Sequence, residues 1–193
     1  MKKIILIVLI ISLLVVSCSP ENLDKNIQTD SADEPTESKK VMEETNDNPA
    51  ETWMNIELTD VNSGNVFKIS DHKGKKVLLE SFAVWCPLCT KQQSNIKKLH
   101  EEIGDEVVSI SIDTDPNEDA ALVKDHAEGN GFDWAYAVAP KDFTTSLIDQ
   151  FGNAVVNAPS APVILVCEDG TSRKMPSGVK SVAKLKAEIA EGC

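Results

Sequence analysis

From Val77 to Val84 the chain reads VLLESFAV and runs directly into Trp85-Cys86-Pro87-Leu88-Cys89. An almost unbroken apolar run of this length marks a strand buried on both faces of a sheet, which demands covering layers above and below it. A helix must start at once. Pro87 suits its first turn, where a missing N–H costs nothing, and Leu88, Gln92, Ile96, Leu99 and Ile103 recur at helical spacing before Gly104 stops it. Cys86 therefore falls at a helix N-terminus, where unpaired N–H groups and the positive end of the dipole favour a thiolate, and it is the expected nucleophile. Cys89 lies one turn deeper, placed to attack a mixed disulfide on Cys86 and release the reduced partner.

Two other readings compete for this pair. Zinc needs a second ligand pair at similar spacing, whereas Cys167 and Cys193 are far apart in sequence and His72, His100 and His126 are scattered, so no metal is expected. A purely structural disulfide is disfavoured at a helix start, where the geometry raises thiol reactivity rather than burying it. Glu80 is the other residue that stands out, because it shares strand parity with Leu78, Phe82 and Val84 and so points to an otherwise apolar face. A carboxylate there, unless it escapes to solvent at a sheet edge, stays protonated by desolvation and becomes a candidate proton carrier beside the thiols.

The WCxxC segment after a buried strand, followed well downstream by Ala161-Pro162-Val163-Ile164-Leu165-Val166, resembles the thioredoxin superfamily, and within it the TlpA-like extracytoplasmic thiol-disulfide oxidoreductases. The likeness covers residues 53 to 193. It implies an α/β thioredoxin-like fold, a mixed central sheet with helices on both faces, extended here by an N-terminal β-hairpin. It implies protein-disulfide reductase chemistry with no cofactor beyond the redox-active cysteine pair, thiol- or disulfide-containing protein substrates and a membrane electron donor. By the same resemblance Glu80 returns the proton of Cys89. Pro162 matches the cis-proline that faces the cysteines, with Ala161 before it pairing the substrate backbone and Pro159 as the rival position. Trp85 and Pro87 sit at the substrate face, although a core aromatic is an equal reading of Trp85. The topology implied also brings Cys193, at the end of the last helix, near Cys167, so that the two form a stapling disulfide outside the cytoplasm or remain as free thiols.

Residues 1–17 stand apart from this fold. Lys2 and Lys3 precede an apolar stretch, Ile4 to Val16, that as a helix spans about 20 Å, short of the roughly 30 Å of a bilayer core. That is the pattern of a secretory signal, and Val15-Val16-Ser17-Cys18 resembles a lipobox, with Cys18 the lipidated residue; an uncleaved anchor or simple secretion are the alternatives. Residues 18–52 then carry ten acids against three lysines and no aromatic residue, a composition that cannot offset ordering entropy and reads as an acidic, disordered linker. The expected protein is thus a monomer held at the outer face of the cell membrane by its lipid. With a formal net charge of −12 and no basic stripe, nucleic acid is not an expected partner.

Within 53–193, Trp53–Asp60 and Asn65–Ile69 read as short strands around the turn Asn62-Ser63-Gly64. Val107–Ile112 alternates as a strand. Asp115-Pro116-Asn117 opens a helix to about Glu128, Phe132–Val138 follows as a strand and Phe143–Phe151 as a short helix. Pro162–Val166 and Thr171–Met175 flank the hairpin turn Glu168-Asp169-Gly170, and Ser181 opens a last helix with Val182, Leu185 and Ile189 on one face. Two further functions fit parts of the pattern. A thiol peroxidase would share the broad fold but needs a Pro-x-x-x-Thr-x-x-Cys context that is absent. A Sco-like copper-binding or delivery protein needs CxxxC, one residue longer than the spacing here, and a histidine such as His126, which the helical pattern turns toward solvent.

Overall fold

A computed structural model describes residues 53–193. The expected signal segment, the lipidation site Cys18 and the linker lie outside the described residues. The first strands are far shorter than the sequence pattern suggests. Residues 53–55 form a 3-10 turn that buries Trp53, and pairing is limited to β1 (Leu58–Thr59) and β2 (Val66–Phe67). The turn between them is organised by Asp60, whose carboxylate accepts hydrogen bonds from the N–H groups of Asn62 and Ser63 and the hydroxyl of Ser63. The same carboxylate also accepts from the Tyr136 N–H, and Val61 N–H donates to Tyr136 O, so the hairpin docks against an edge strand of the main sheet.

That sheet has five strands: β3 (Lys76–Phe82), β4 (Val107–Asp113), β5 (Ala135–Val138), β6 (Val163–Val166) and β7 (Ser172–Lys174). Their order is β5-β4-β3-β6-β7, with β3, β4 and β5 mutually parallel and β6 and β7 antiparallel to their neighbours. The VLLESFAV run supplies the central strand, as its lack of a polar face requires. The helices α1 (Pro87–Ile103), α2 (Ala120–Asn130), α3 (Lys141–Phe151) and α4 (Val182–Glu191) complete the fold.

Strand parity sorts the core. Leu79, Ile110 and Ile112 face Trp53 and the α3 residues Phe143 and Leu147. Leu78 points the other way, onto Ile96 and Leu99 of α1 and Leu185 of α4. Phe82, four residues further along that face, packs with Val123 and Ala127 of α2 and with Tyr136. Helices thus cover both faces of a mixed sheet, the α/β thioredoxin-like architecture expected.

Several boundaries move for local reasons. The inner stripe of α1 is Cys89, Gln92, Gln93, Ile96 and Leu99, while Leu88 is 42% exposed. In α2 the helix begins only at Ala120, because Asp119 is its N-cap and accepts from Leu122 N–H at 2.9 Å; Asp115-Pro116-Asn117 is a preceding turn. Gly129 and Asn130 stay helical, and Gly131 ends the helix in the left-handed region at φ 65°. Two 3-10 turns, Asn153–Val156 and Ala158–Ser160, fill the stretch before β6 that the sequence left unassigned.

Candidate active site

The carboxyl end of β3 delivers Trp85 and Cys86 to the start of α1. Cys86 is the N-cap, with extended backbone, and its Sγ accepts a hydrogen bond from Cys89 N–H at 3.3 Å. Pro87 occupies the first helical turn without loss, since its missing N–H would have no partner there. Both cysteines are free thiols and both are buried, and it is the burial of Cys86 that runs against the expectation that a helix start raises thiol reactivity rather than burying the sulfur. They pack with Phe82, Ala83 and Ala158 in one apolar cluster. The thiol of Cys89 donates to Ala158 O at 3.2 Å, and burial, reinforced by the Cys86 contact and by the charge of Glu80, pushes its pKa well above the ordinary thiol value.

Glu80 lies behind this pair and is fully buried, on the face that strand parity assigned to it. Desolvation pushes its carboxyl up to about 8, against the pull of Gln93, Ser111 and Lys180. Ser111 hydroxyl donates to Oε2 at 3.2 Å and is itself held by Trp134 Nε1–H at 2.9 Å, whereas Oε1 has no hydrogen-bond partner among the described residues. Lys180 reaches in from the segment before α4. Its backbone N–H donates to Gln92 Oε1, its carbonyl accepts from Asn95 Nδ2, and its ammonium donates to Ala161 O. Burial draws that ammonium down to about 8, while Glu80, Glu188 and Cys89 hold it up. Sequence reasoning missed Lys180, Ser111, Gln92 and Gln93 as site residues. The two glutamines were within reach, since they follow Cys89 by three and four residues on one helix face; nothing local marks Lys180.

The loop after β4 clasps the dithiol segment from the other side. Glu118 Oε2 accepts from Val84 N–H and Asp115 Oδ2 accepts from Trp85 Nε1–H, each at 2.7 Å. Asp113 is buried behind them, and desolvation, helped by the neighbouring Glu118 and Asp115, pushes its carboxyl up to about 7 against the Asp115 N–H that it accepts. Trp85 is thereby pinned by its indole nitrogen but left 59% exposed, which makes it a surface aromatic and not a core one. Pro87 and Leu88 are exposed beside it.

Ala161 and Pro162 are not at this surface. Both are buried, Ala161 adopts a left-handed conformation at φ 44° with its carbonyl taken by Lys180, and Pro162 O accepts from Ser81 N–H within the sheet. Ala161 N–H in turn donates to Ala158 O, so its backbone is bonded within the fold. The residues on the groove beside the dithiol are Ala158 and the exposed Pro159, the rival position weighed from sequence. Cys167 and Cys193 are joined by a disulfide at the far end of the sheet, with Cα atoms 6.1 Å apart. No group of three or more His, Cys, Asp or Glu among the described residues could hold a metal ion. His126 does not face solvent as its helical position suggested: it is half-buried, stacks on Phe82 and bonds Gln93 Oε1 at 2.7 Å.

Two free cysteines, one at a helix N-cap and one a turn deeper whose thiol is kept protonated by burial, can exchange two electrons by closing and opening a disulfide. The Redoxin family model matches residues 45–189. Thioredoxin-like protein YneN of Bacillus subtilis is 36% identical over 50 residues, which is 26% of this chain and 29% of that protein, so the chain spans under a third of the length of this curated relative. A thiol:disulfide interchange protein of the thioredoxin family from Chlorobium tepidum superposes with a TM-score of 0.60 at 17% identity, covering 71% of this chain and 92% of that one. The exposed lipoprotein thioredoxin of Streptococcus pneumoniae superposes with a TM-score of 0.55 at 22% identity, covering 70% and 98%.

Proposed function

The chain belongs to the Redoxin family, and from that premise we propose that it is a thiol-disulfide oxidoreductase that reduces protein disulfides outside the cytoplasm through Cys86 and Cys89. The observation that carries the reading is the N-cap geometry: Cys89 N–H points at Cys86 Sγ while the Cys89 thiol waits one turn below, bonded to Ala158 O. In the forward direction Cys86 Sγ, as thiolate, attacks a substrate S–S bond. A Cys86–substrate disulfide forms and one substrate sulfur leaves, taking a proton. Cys89 then gives up its proton, with the buried Glu80 carboxylate as the acceptor, and attacks Cys86 Sγ. The second substrate thiol departs, and the two electrons of the dithiol have reduced one disulfide. A membrane electron donor restores the dithiol.

The same proposal places the monomer at the outer face of the membrane, cleaved before Cys18 and lipidated there, with residues 18–52 as tether. Support for this comes from the lipobox-like Val15-Val16-Ser17-Cys18 alone. Mass spectrometry of the mature protein is expected to find an N-terminal acylated Cys18; a chain starting at Met1 would exclude the anchor. For the chemistry, the reduced full chain is expected to reduce insulin, and the Cys89→Ser variant to accumulate a covalent adduct through Cys86. Absence of both reduction and adduct, with tight copper binding in their place, would favour the delivery reading instead.

A further inference from the structure

We propose that the groove beside the dithiol selects its substrate by charge, taking an extended polypeptide segment in which the disulfide cysteine lies next to a lysine or arginine. This rests on the reductase reading above and adds the class of substrate. The groove encloses about 250 Å³ and is walled by Ala83, Trp85, Asp115, Pro116, Ala158 and Pro159, among others. That is below the roughly 300–1,000 Å³ of pockets that engulf small-molecule ligands, and suits one or two side chains of a passing strand. It abuts the dithiol directly: Ala83 O accepts from Cys86 N–H and Ala158 O accepts from the Cys89 thiol. Neither cysteine lines the groove itself, but through Ala83 and Ala158 it is the surface adjoining them, where a chain linked to Cys86 Sγ would lay its neighbouring residue.

Asp115 is the one charged residue lining it. Its carboxylate is fixed by three neutral donors, Trp85 Nε1–H and the backbone and side-chain amides of Asn117. These hydrogen bonds hold it below the usual carboxylate range, so it is ionised at neutral pH. No cation pairs with it within 4.0 Å among the described residues. Fixed in place, charged and without a counter-ion, it faces a mostly apolar floor whose other polar residues, Thr114 and Asn157, are neutral. A substrate ammonium or guanidinium there keeps its stem on Trp85 and gains the ion pair, with the exposed indole face available for a cation–π contact. A substrate carboxylate meets only repulsion. The groove continues past Pro116 into a second one that adds Glu118 and Lys141, whose charges cancel, so the net negative charge rests on Asp115.

The test uses the reduced full-length protein and two disulfide-linked peptides that differ only in the residue next to cysteine, lysine or glutamate. Reduction of the lysine peptide is expected to have a kcat/KM about tenfold higher, chiefly through KM, in the range of a partly exposed ion pair set against a repulsion, and to lose that margin as salt is raised. Asp115→Asn should remove most of the preference, and Asp115→Lys should turn it toward the glutamate peptide, a reversal that a merely structural role for Asp115 cannot produce. Asp105→Asn, at the far end of α1, controls for net charge and should leave the preference intact. Equal reduction of the two peptides, or a preference unmoved by both Asp115 variants, overturns the charge selection while leaving the reductase standing. Failure to reduce either peptide brings down the reductase and the selection together.

Discussion

At the scale of single residues, Glu80 carries the most testable physics. A carboxyl whose ordinary value is 4.5 and whose folded value is about 8 is protonated in the native protein while the unfolded chain has already lost its proton. Between those two pH values the unfolded state binds fewer protons, so stability falls as pH rises through the window. The upper limit of this loss is on the order of 5 kcal/mol by the usual conversion from pKa difference. Glu80→Gln removes it. Urea denaturation should show the variant gaining on the parent by a few kcal/mol between pH 5 and pH 8, and a difference that stays constant with pH would refute the buried acid. The variant should also slow the resolving step: in the parent, release of a trapped mixed disulfide should accelerate as pH climbs through about 8, and in Glu80→Gln that inflection should vanish. Glu80 was legible in the sequence because strand parity alone aims a side chain. Lys180 was not, since its burial depends on how a loop before α4 crosses Gln92 and Ala161.

At the scale of elements, helix starts decide where the chemistry sits. Each of α1, α2 and α4 has a side chain capping its first turn, from Cys86, Asp119 and Ser181 respectively. The α1 cap is itself the sulfur of the proposed nucleophile, so under that proposal the atom that closes the helix is the atom that reacts. For α2 the cap is conventional, and Asp119→Ala should cost about 1 kcal/mol, read as a lower denaturation midpoint; no change would mean the exposed cap bond contributes nothing. Gly131 should be less tolerant, since it holds φ 65° and an added Cβ would stand 3.0 Å from Lys97 Nζ. Gly131→Ala should destabilise the protein by roughly 1 kcal/mol or more, and an unshifted midpoint would contradict it. Elements with strong periodicity, β3, β4, α1 and α4, were readable from the chain. The early strands were overestimated because Trp53 finds its burial in a 3-10 turn against Phe143 and Phe151, a tertiary contact that outweighs strand propensity.

At the scale of the whole molecule, the last helix is fastened at its C-terminal end. Arg173 on β7 bonds the Glu188 carboxylate, the Glu188 carbonyl and the Gly192 carbonyl, and Lys184 pairs with the same carboxylate. One residue beyond, Cys193 is bridged to Cys167. Removing that bridge frees a loop with a sequence separation of 26, for which chain entropy gives about 3 kcal/mol. The Cys167→Ser/Cys193→Ser double variant should therefore unfold at markedly lower denaturant than the parent while retaining the Cys86/Cys89 pair; equal midpoints would show that the Arg173 contacts alone suffice. The sequence by itself determined the central strand, the cysteine pair at a helix start, the parity of Glu80 and the sheet-and-helix alternation, because these follow from spacing along one chain. Only the tertiary structure decided that Pro159 and not Pro162 meets the groove, that Lys180 shares the interior with Glu80, and that Asp115 and Glu118 hold the dithiol loop. Those pairings join residues from separate elements, and their distances are fixed by packing, which no local pattern of residues encodes.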